Sequence, residues 1–302
     1  MNAIKAVLHS KFNPSNLLAE SPIWDDINGL IYWCDILGKK IYELHLKSEL
    51  LRSWVTNDEP GCIVLCAQGG LIVAQSDGIY HLNTELSIFT LLIEAPYDKT
   101  LIRFNDGKCD SFGRLWVGSL YRSKDRPLGN LYTFFFKDGT PYLRCVADNN
   151  ITGNGIAFSP DQRFIYWSNS TNQIIEIFDL DIKTANLRNR RLFFDFNDWP
   201  NYKGKPDGAA VDQQGNYWVA MYNASEIVVL SPDGAVIERM QMPVKNPTMP
   251  CFGGKHMDSL FVTSSVYNSN NSGIDHSAFA GQIFSFQTNA CGAPCYSFNL
   301  AS

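Results

Sequence analysis

The chain has 302 residues, 45% of them hydrophobic, which is enough to bury a substantial core. Its formal net charge is −5 and it has no long lysine- and arginine-rich block, which excludes a typical nucleic-acid-binding protein because phosphate binding requires concentrated positive charge. No apolar run is long enough to span a membrane and the N-terminus lacks a signal-peptide core, so we expect a cytoplasmic protein without a membrane partner.

Six similar segments follow one another along the chain, each with an apolar run, a turn and a strand-like run rich in aromatic and β-branched residues. Equivalent positions lie 40, 44, 50, 52 and 43 residues apart, which matches four-stranded propeller blades. The sequence therefore predicts an all-β fold, a six-bladed β-propeller that forms one domain over residues 1–302. The equivalent positions are Tyr32, Ile72, Trp116, Tyr166, Trp218 and Phe261.

Each repeat begins with a short motif ahead of its strand. In chain order the motifs are ESPIW at 20–24, GCIVL at 61–65, RFNDGK at 103–108, NGIAFSPD at 154–161, PDG at 206–208 and CFGG at 251–254. The strands predicted behind them cover residues 30–34, 71–75, 115–119, 164–168, 216–221 and 259–263. A polar insertion at 120–129 follows the third strand, and such insertions often shape a binding surface. Closure of the ring requires one terminus to complete a blade begun at the other, for which residues 4–8 and 281–287 are the candidate strands.

In a propeller the innermost strand of every blade lines the central channel, so equivalent residues on these strands converge. Eleven or twelve positions before the markers, four of the six equivalent residues are polar. Two converging carboxylates would repel each other and lose hydration, and a divalent cation would offset both costs. The candidate ligands are all oxygen donors, which favours Ca²⁺, Mg²⁺ or Mn²⁺ over Zn²⁺, although Zn²⁺ also accepts carboxylates. The polar residues are Glu20, Asn105, Asn154 and Asp207.

Simpler structural interpretations exist for each of these residues. The Asn-Asp-Gly and Pro-Asp-Gly triplets at 105–107 and 206–208 are turn sequences, and the chain uses a similar triplet at 232–234 as a turn. Their shared position in the repeat favours a common site over independent turns.

The eight cysteines form no CxxC pair, so we expect most to be buried thiols, with Cys291 and Cys295 able to pair only under oxidation. The five histidines fit no metal-binding spacing.

Five motifs, at 20–24, 103–108, 154–161, 206–208 and 251–254, together resemble those of the senescence-marker-protein/gluconolactonase family, the regucalcin-like sugar lactonases. The motifs occur in the same order, and the resemblance extends over almost the whole chain. It implies a six-bladed propeller with one divalent metal ion on its axis, bound by Glu20, Asn154 and Asp207. It also implies hydrolysis of a sugar lactone, with Arg103 and Asn105 in contact with the substrate.

Two positions depart from the family pattern. Asn169 stands where many members have an aspartate after the fourth-blade strand, a change that we expect to alter the surroundings of the metal ligands. Tyr121, Arg122 and Ser123 stand where regucalcin-like members have acidic residues, so the identity of the sugar is left open. Within this segment, Tyr121 is a candidate substrate-binding residue.

These features predict a metal-dependent lactonase that opens a sugar lactone to the aldonic acid. The metal ion would polarise the lactone carbonyl, Asp207 would act as general base toward water, and Arg103 and Asn105 would orient the ring hydroxyls. Alternatively, a metal-bound hydroxide attacks without help from Asp207. Two other functions stay open: a calcium-binding propeller without catalysis, and hydrolysis of another ester, such as a phosphotriester or aryl ester. The sequence contains no Gly-x-Ser-x-Gly motif that would indicate a serine nucleophile.

Overall fold

A computed structural model describes residues 6–12, 16–268 and 273–301. Within these ranges, six four-stranded antiparallel sheets form the blades of a β-propeller, which confirms the predicted fold class. One two-stranded sheet lies outside the blades, and the described part of the chain contains no helix that is long and apolar enough to cross a membrane.

The strands are numbered in chain order and grouped here by blade. After β1 (Ala6–Phe12), blades 1 to 3 contain β2 (Ala19–Asp25), β3 (Leu30–Asp35), β4 (Lys40–His45), β5 (Leu50–Val55); β6 (Pro60–Leu65), β7 (Leu71–Gln75), β8 (Gly78–Asn83), β9 (Ile88–Glu94); and β10 (Ile102–Cys109), β11 (Leu115–Tyr121), β12 (Gly129–Lys137), β13 (Thr140–Asn150). Blades 4 and 5 contain β14 (Gly153–Phe158), β15 (Phe164–Asn169), β16 (Ile174–Asp181), β17 (Asn186–Asp195); and β18 (Lys205–Val211), β19 (Tyr217–Tyr222), β20 (Glu226–Leu230), β21 (Val236–Gln241), with a 3₁₀ turn at Phe196–Asp198 between them. The last segment contains β22 (Pro247–Gly253), β23 (Ser259–Ser264), β24 (Tyr267–Asn268), β25 (Gly273–Ile274) and β26 (Ile283–Thr288).

The sixth blade joins the two ends of the chain. Its strand order is β22, β23, β26, β1, and β1 pairs antiparallel with β26 from Ala6 opposite Thr288 to Phe12 opposite Ile283. Without β1, the outer edge of β26 would be left with unpaired backbone groups. The structure therefore confirms that an N-terminal strand closes the ring; of the predicted residues 4–8, residues 4 and 5 lie outside the described part.

The six predicted strands correspond to the second strand of each blade. These strands are covered on both faces by neighbouring blades, so they consist of nearly continuous apolar side chains instead of alternating ones. Trp33, Trp116, Trp167 and Trp218 are each fully buried there. Outer strands such as β5 and β17 are mostly exposed, which explains why the sequence repeat is recognisable only in the inner half of each blade.

Five of the eight cysteines are buried and all eight are free thiols, in line with the prediction.

All six innermost strands contain a register shift, and in five of them it begins at the first or second residue of the strand. The shifts lie between residues 20 and 23, 60 and 62, 104 and 107, 154 and 157, 206 and 209, and 247 and 250. A bulge interrupts the alternation of side chains and re-aims the residues next to it. Gly155, with φ of +60°, occupies the bulge of β14, and Ser21 has a similar φ of +51° in β2. The bulges thus decide which side chains enter the channel.

Candidate active site

A cavity of about 240 Å³ lies at one end of the channel. Glu20 from β2, Asn154 from β14 and Asp207 from β18 line it, together with Arg103 and Asn105 from β10. Each of these five side chains is at least nine-tenths buried. Four of the six inner strands therefore bring the residues predicted as ligands and substrate contacts to one place, at or beside their bulges.

A row of hydrogen bonds joins three of the inner strands across the cavity floor. Arg103 Nη1 donates to Asn105 Oδ1 at 2.7 Å, and Asn105 Nδ2 donates to Asn154 Oδ1 at 2.5 Å. Asn154 Nδ2 then donates to Asp207 Oδ1 at 2.6 Å and to Ser170 Oγ at 2.8 Å. Because arginine only donates hydrogen bonds, it sets the orientation of both amides, and the row ends on the carboxylate.

The carboxylates of the site are buried close enough to repel one another. Burial, followed by the charges of Asp207 and Asp106, raises the pKa of Glu20 well above its ordinary value. Burial and the charge of Asp106 raise the pKa of Asp207 to about 8. Burial also raises the pKa of Asp106 to about 6. Without a counter-ion, burial and mutual repulsion would favour the protonated forms of these carboxyl groups.

Four positively charged residues line the same cavity: Arg103, Arg122, Lys124 and Lys205. Glu59, just before β6, accepts a salt bridge from Arg122 Nη2 at 2.7 Å and lies 3.9 Å from Arg103 Nε. Burial alone would raise the pKa of Glu59, but the hydrogen bond from Arg122 and the two guanidinium charges outweigh burial and lower it. Glu59 is thus ionised and opposes part of the positive charge.

Residues 18–266 match the family model of the SMP-30/Gluconolactonase/LRE-like region. The chain belongs to this family. A 6-deoxy-6-sulfogluconolactonase of Pseudomonas putida is 33% identical over 283 residues, which cover 93% of this chain and 95% of that protein. Regucalcin of Xenopus laevis is 29% identical, with 82% of this chain and 83% of regucalcin covered. The crystal structure of a calcium-binding regucalcin of Agrobacterium tumefaciens has the same fold, with a TM-score of 0.87, 23% identity and 98% of each chain covered.

The donor set of this SMP-30/gluconolactonase family member suits a hard divalent cation. Among the residues that the structure describes, no group of three or more His, Cys, Asp or Glu side chains is placed to hold a metal ion. The Glu20 and Asp207 carboxylates and the Asn154 amide, whose oxygen accepts from Asn105, instead line one cavity. Oxygen donors of this type would match Ca²⁺, Mg²⁺ or Mn²⁺, and a cation would offset the burial and the repulsion that raise both carboxylate pKa values.

Two predicted positions lie elsewhere in the structure. Tyr121, the last residue of β11, is not among the cavity-lining residues of the described chain; its ring packs under Arg126 at 4.9 Å. Side chains alternate across a strand, and the residues on either side of Tyr121, Leu120 and Arg122, line the cavity instead. Asn169 accepts a turn hydrogen bond from the Asn172 amide at 3.3 Å, so its change from aspartate does not fall on the cavity.

The sequence did not predict several residues that line the cavity. Lys205 lies two residues before Asp207 in the same motif, and Ser170 accepts a hydrogen bond from Asn154 and donates one to the Pro206 carbonyl at 2.6 Å. Glu59 lies two residues before Gly61, the blade-2 equivalent of Asp207, so the same positional count extended by two residues would have found it. Arg122 and Lys124 come from the insertion, where no repeat guides the comparison.

Proposed function

We propose that the chain hydrolyses a sugar lactone to the open-chain aldonic acid, with one divalent ion held by Glu20, Asn154 and Asp207. The observation that supports this function best is the hydrogen-bonded row from Arg103 to Asp207, which places polar side chains and a carboxylate around one open cavity. A site built this way suits a small substrate with several hydroxyl groups. The relatives named as lactonase and regucalcin agree with the family assignment.

The hydrogen bonds that Arg103 and Asn105 already form limit those that they can offer to a substrate. The amide nitrogen of Asn105 is used by Asn154 Oδ1 and by the Gly153 carbonyl, and its oxygen already accepts from Arg103. Asn105 can therefore only accept one more hydrogen bond, from a ring hydroxyl, through its remaining lone pair. Arg103 Nη1 donates to the Phe104 carbonyl and to Asn105, which leaves other guanidinium N–H groups to donate to ring oxygens.

Asp207 is the residue that moves the proton. When bound, a divalent ion polarises the lactone carbonyl and lowers the pKa of the carboxylates around it. One oxygen of Asp207 is held by Asn154, so the other oxygen is the one that takes a proton from the attacking water. Water oxygen adds to the carbonyl carbon, the ring ester bond breaks, and the proton passes to the released hydroxyl oxygen. One water is consumed and one hydroxy acid forms.

The decisive experiment is an acid-release assay on a series of aldonolactones with metal-stripped protein, restoring Ca²⁺, Mg²⁺, Mn²⁺ or Zn²⁺ singly. We expect hydrolysis to stop on stripping and to return with at least one ion. Absence of acid release with every lactone and ion would leave the calcium-binding, non-catalytic propeller as the better function. For the base, Asp207→Asn with the ion still bound and near wild-type turnover would assign the attack to a metal-bound hydroxide.

Hydrolysis of another ester remains the alternative reaction. Phosphotriesters and aryl esters are apolar, and they would be recognised by an apolar pocket. The cavity has some apolar lining, including Leu18, Ile36 and Leu120. Charged and amide side chains from Arg103, Asn105, Asn154 and Lys205 share its surface. This lining favours a hydroxylated substrate, and aryl acetate hydrolysis that exceeds lactone hydrolysis in the same assay would reverse the order.

A further inference from the structure

The cavity contains more positive charge than a neutral sugar lactone requires. Its lining includes four cationic residues and three carboxylates, in a chain whose overall charge is −5. The ion of the proposed function would balance Glu20 and Asp207, and Glu59 would then be the one carboxylate opposing the four cations. The excess positive charge lies in the lining of the cavity that the proposed function assigns to the substrate.

Lys124 and Lys205 have an electrostatic partner in the Asp207 carboxylate, but that carboxylate is not within salt-bridge distance of either lysine. Within the described ranges, neither ammonium group forms a hydrogen bond or a salt bridge, whereas Arg122 is held by Glu59. Lys124 is exposed as a residue, yet desolvation of its ammonium group, followed by the positive charges of Arg103 and Lys205, lowers its pKa against the opposing charge of Asp207. Holding like charges next to one another costs free energy, which an anion bound between them would offset.

Backbone hydrogen bonds and a strand position fix the segments that carry Arg122, Lys124 and Lys205 beside the cavity. Arg122 N donates to the Leu101 carbonyl at 2.9 Å, and Lys124 N donates to the Tyr121 carbonyl at 3.0 Å, which closes a tight turn with φ of +56° at Lys124. Tyr121 is buried beneath Arg126 and anchors the insertion. From the opposite side, Lys205 begins β18, two residues before Asp207. The two lysines therefore reach the cavity from separate blades.

We propose that Lys124 and Lys205, with Arg122, form an anion subsite that recognises a sulfonate or phosphate group on the lactone, on the side of the ring away from the ester. This inference rests on the proposed lactonase function and narrows its substrate class. A sulfonate or phosphate is ionised at neutral pH and offers three acceptor oxygens, which matches donors arriving from different directions. A neutral lactone would leave the excess positive charge of the cavity lining without a compensating anion.

The test compares kcat/KM for gluconolactone, 6-phosphogluconolactone and 6-deoxy-6-sulfogluconolactone in the wild-type holoenzyme and in the Lys124→Ala/Lys205→Ala variant. We expect the wild type to prefer an anionic lactone over the neutral one by about 100-fold, because charge-assisted hydrogen bonds of this kind contribute roughly tenfold or more each. The preference should fall to near one in the double variant. Lys203 is an exposed lysine outside the cavity lining, so Lys203→Ala removes one positive charge two residues from Lys205 and should leave the preference unchanged.

The outcomes separate this proposal from the function on which it rests. Hydrolysis of all three lactones at similar kcat/KM would overturn the anion subsite and leave the lactonase intact. If no lactone is hydrolysed, the lactonase proposal fails, and calorimetry with 6-phosphogluconate against gluconate then decides the subsite separately: equal affinities, or no change in the double variant, would also overturn it. A higher kcat/KM for the phosphorylated or for the sulfonated lactone would show which of the two anionic groups the subsite recognises. Urea unfolding of each variant confirms that it is folded.

Discussion

Replacing Asp207 by asparagine separates the stability of the site from its function. Burial and the charge of Asp106 raise the pKa of Asp207 from 3.8 to about 8. A carboxyl group with a raised pKa contributes its full stability below pH 4, and that contribution is lost as pH rises through about 8. At pH 7 the folded protein keeps a proton that the unfolded chain releases, which costs about 4 kcal/mol at 1.36 kcal/mol per pKa unit.

Asparagine removes this cost, because it is neutral at every pH and its oxygen can still accept from Asn154. In EDTA at pH 7, we expect Asp207→Asn to be more stable than the wild type, by up to about 4 kcal/mol, and nearly equal to it at pH 4. With a saturating divalent ion the order reverses, since the variant lacks a carboxylate ligand. Urea unfolding followed by tryptophan fluorescence measures the stability in each of the three conditions.

Asp212→Asn is the matched control, because it makes the same substitution at another buried residue of blade 5. Asp212 accepts hydrogen bonds from the amides of Gln214 and Asn216, from the Asn216 side chain and from the indole of Trp218, all between 2.8 and 3.0 Å. An amide would turn a donor toward these donors, so Asp212→Asn should lose about 2 to 4 kcal/mol with or without metal. If Asp207→Asn is destabilised in EDTA in the same way, the electrostatic account of the site is wrong.

Three further predictions follow from the same contacts. Metal binding at pH 7 should release at least one proton per ion, because the pKa values of Glu20 and Asp207 are raised in the apo site and must fall; calorimetry in buffers of different ionisation enthalpy measures this, and zero release would contradict it. Arg103→Lys should lower kcat/KM for lactones about 100-fold, since lysine lacks the planar fork that orients Asn105, and an unchanged value would show that the row is dispensable. Gly155→Ala should lose about 2 to 4 kcal/mol of unfolding free energy, because its φ is +60° and a Cβ would lie 2.3 Å from Tyr217 Oη. Gly139→Ala, with φ of +74° and nothing within 4 Å, should lose only about 1 kcal/mol in urea unfolding, and equal losses would refute the steric argument.

The blades were predictable from the sequence because their second strands are buried on both faces. Burial on both sides requires an apolar run, and a run around Tyr32 or Trp218 recurs with every blade. The same periodicity located Glu20, Asn105, Asn154 and Asp207, since equivalent residues of the inner strands meet at the channel. The outer strands, which are half-exposed, have no such pattern.

The rest of the site depends on contacts between blades. Glu59, Arg122 and Lys205 come from three different blades; Glu59 and Lys205 share one position in the repeat, but Arg122 lies in the insertion, which has no counterpart in the other blades. Tyr121 was predicted at the cavity, yet Arg122, the residue after β11, lines it instead. Side chains alternate between the two faces of a strand, and the sequence alone does not show which alternate set faces the cavity.

The amino-acid sequence by itself determined the number of blades and the polar residues that share one position in the repeat, because both follow from burial that recurs along the chain. The tertiary structure alone decided which neighbours face those residues, through the bulge in each inner strand and the turn of the third-blade insertion. Ring closure brings together charges from different blades, so the cluster of positively charged residues that lines the cavity exists only in the folded protein.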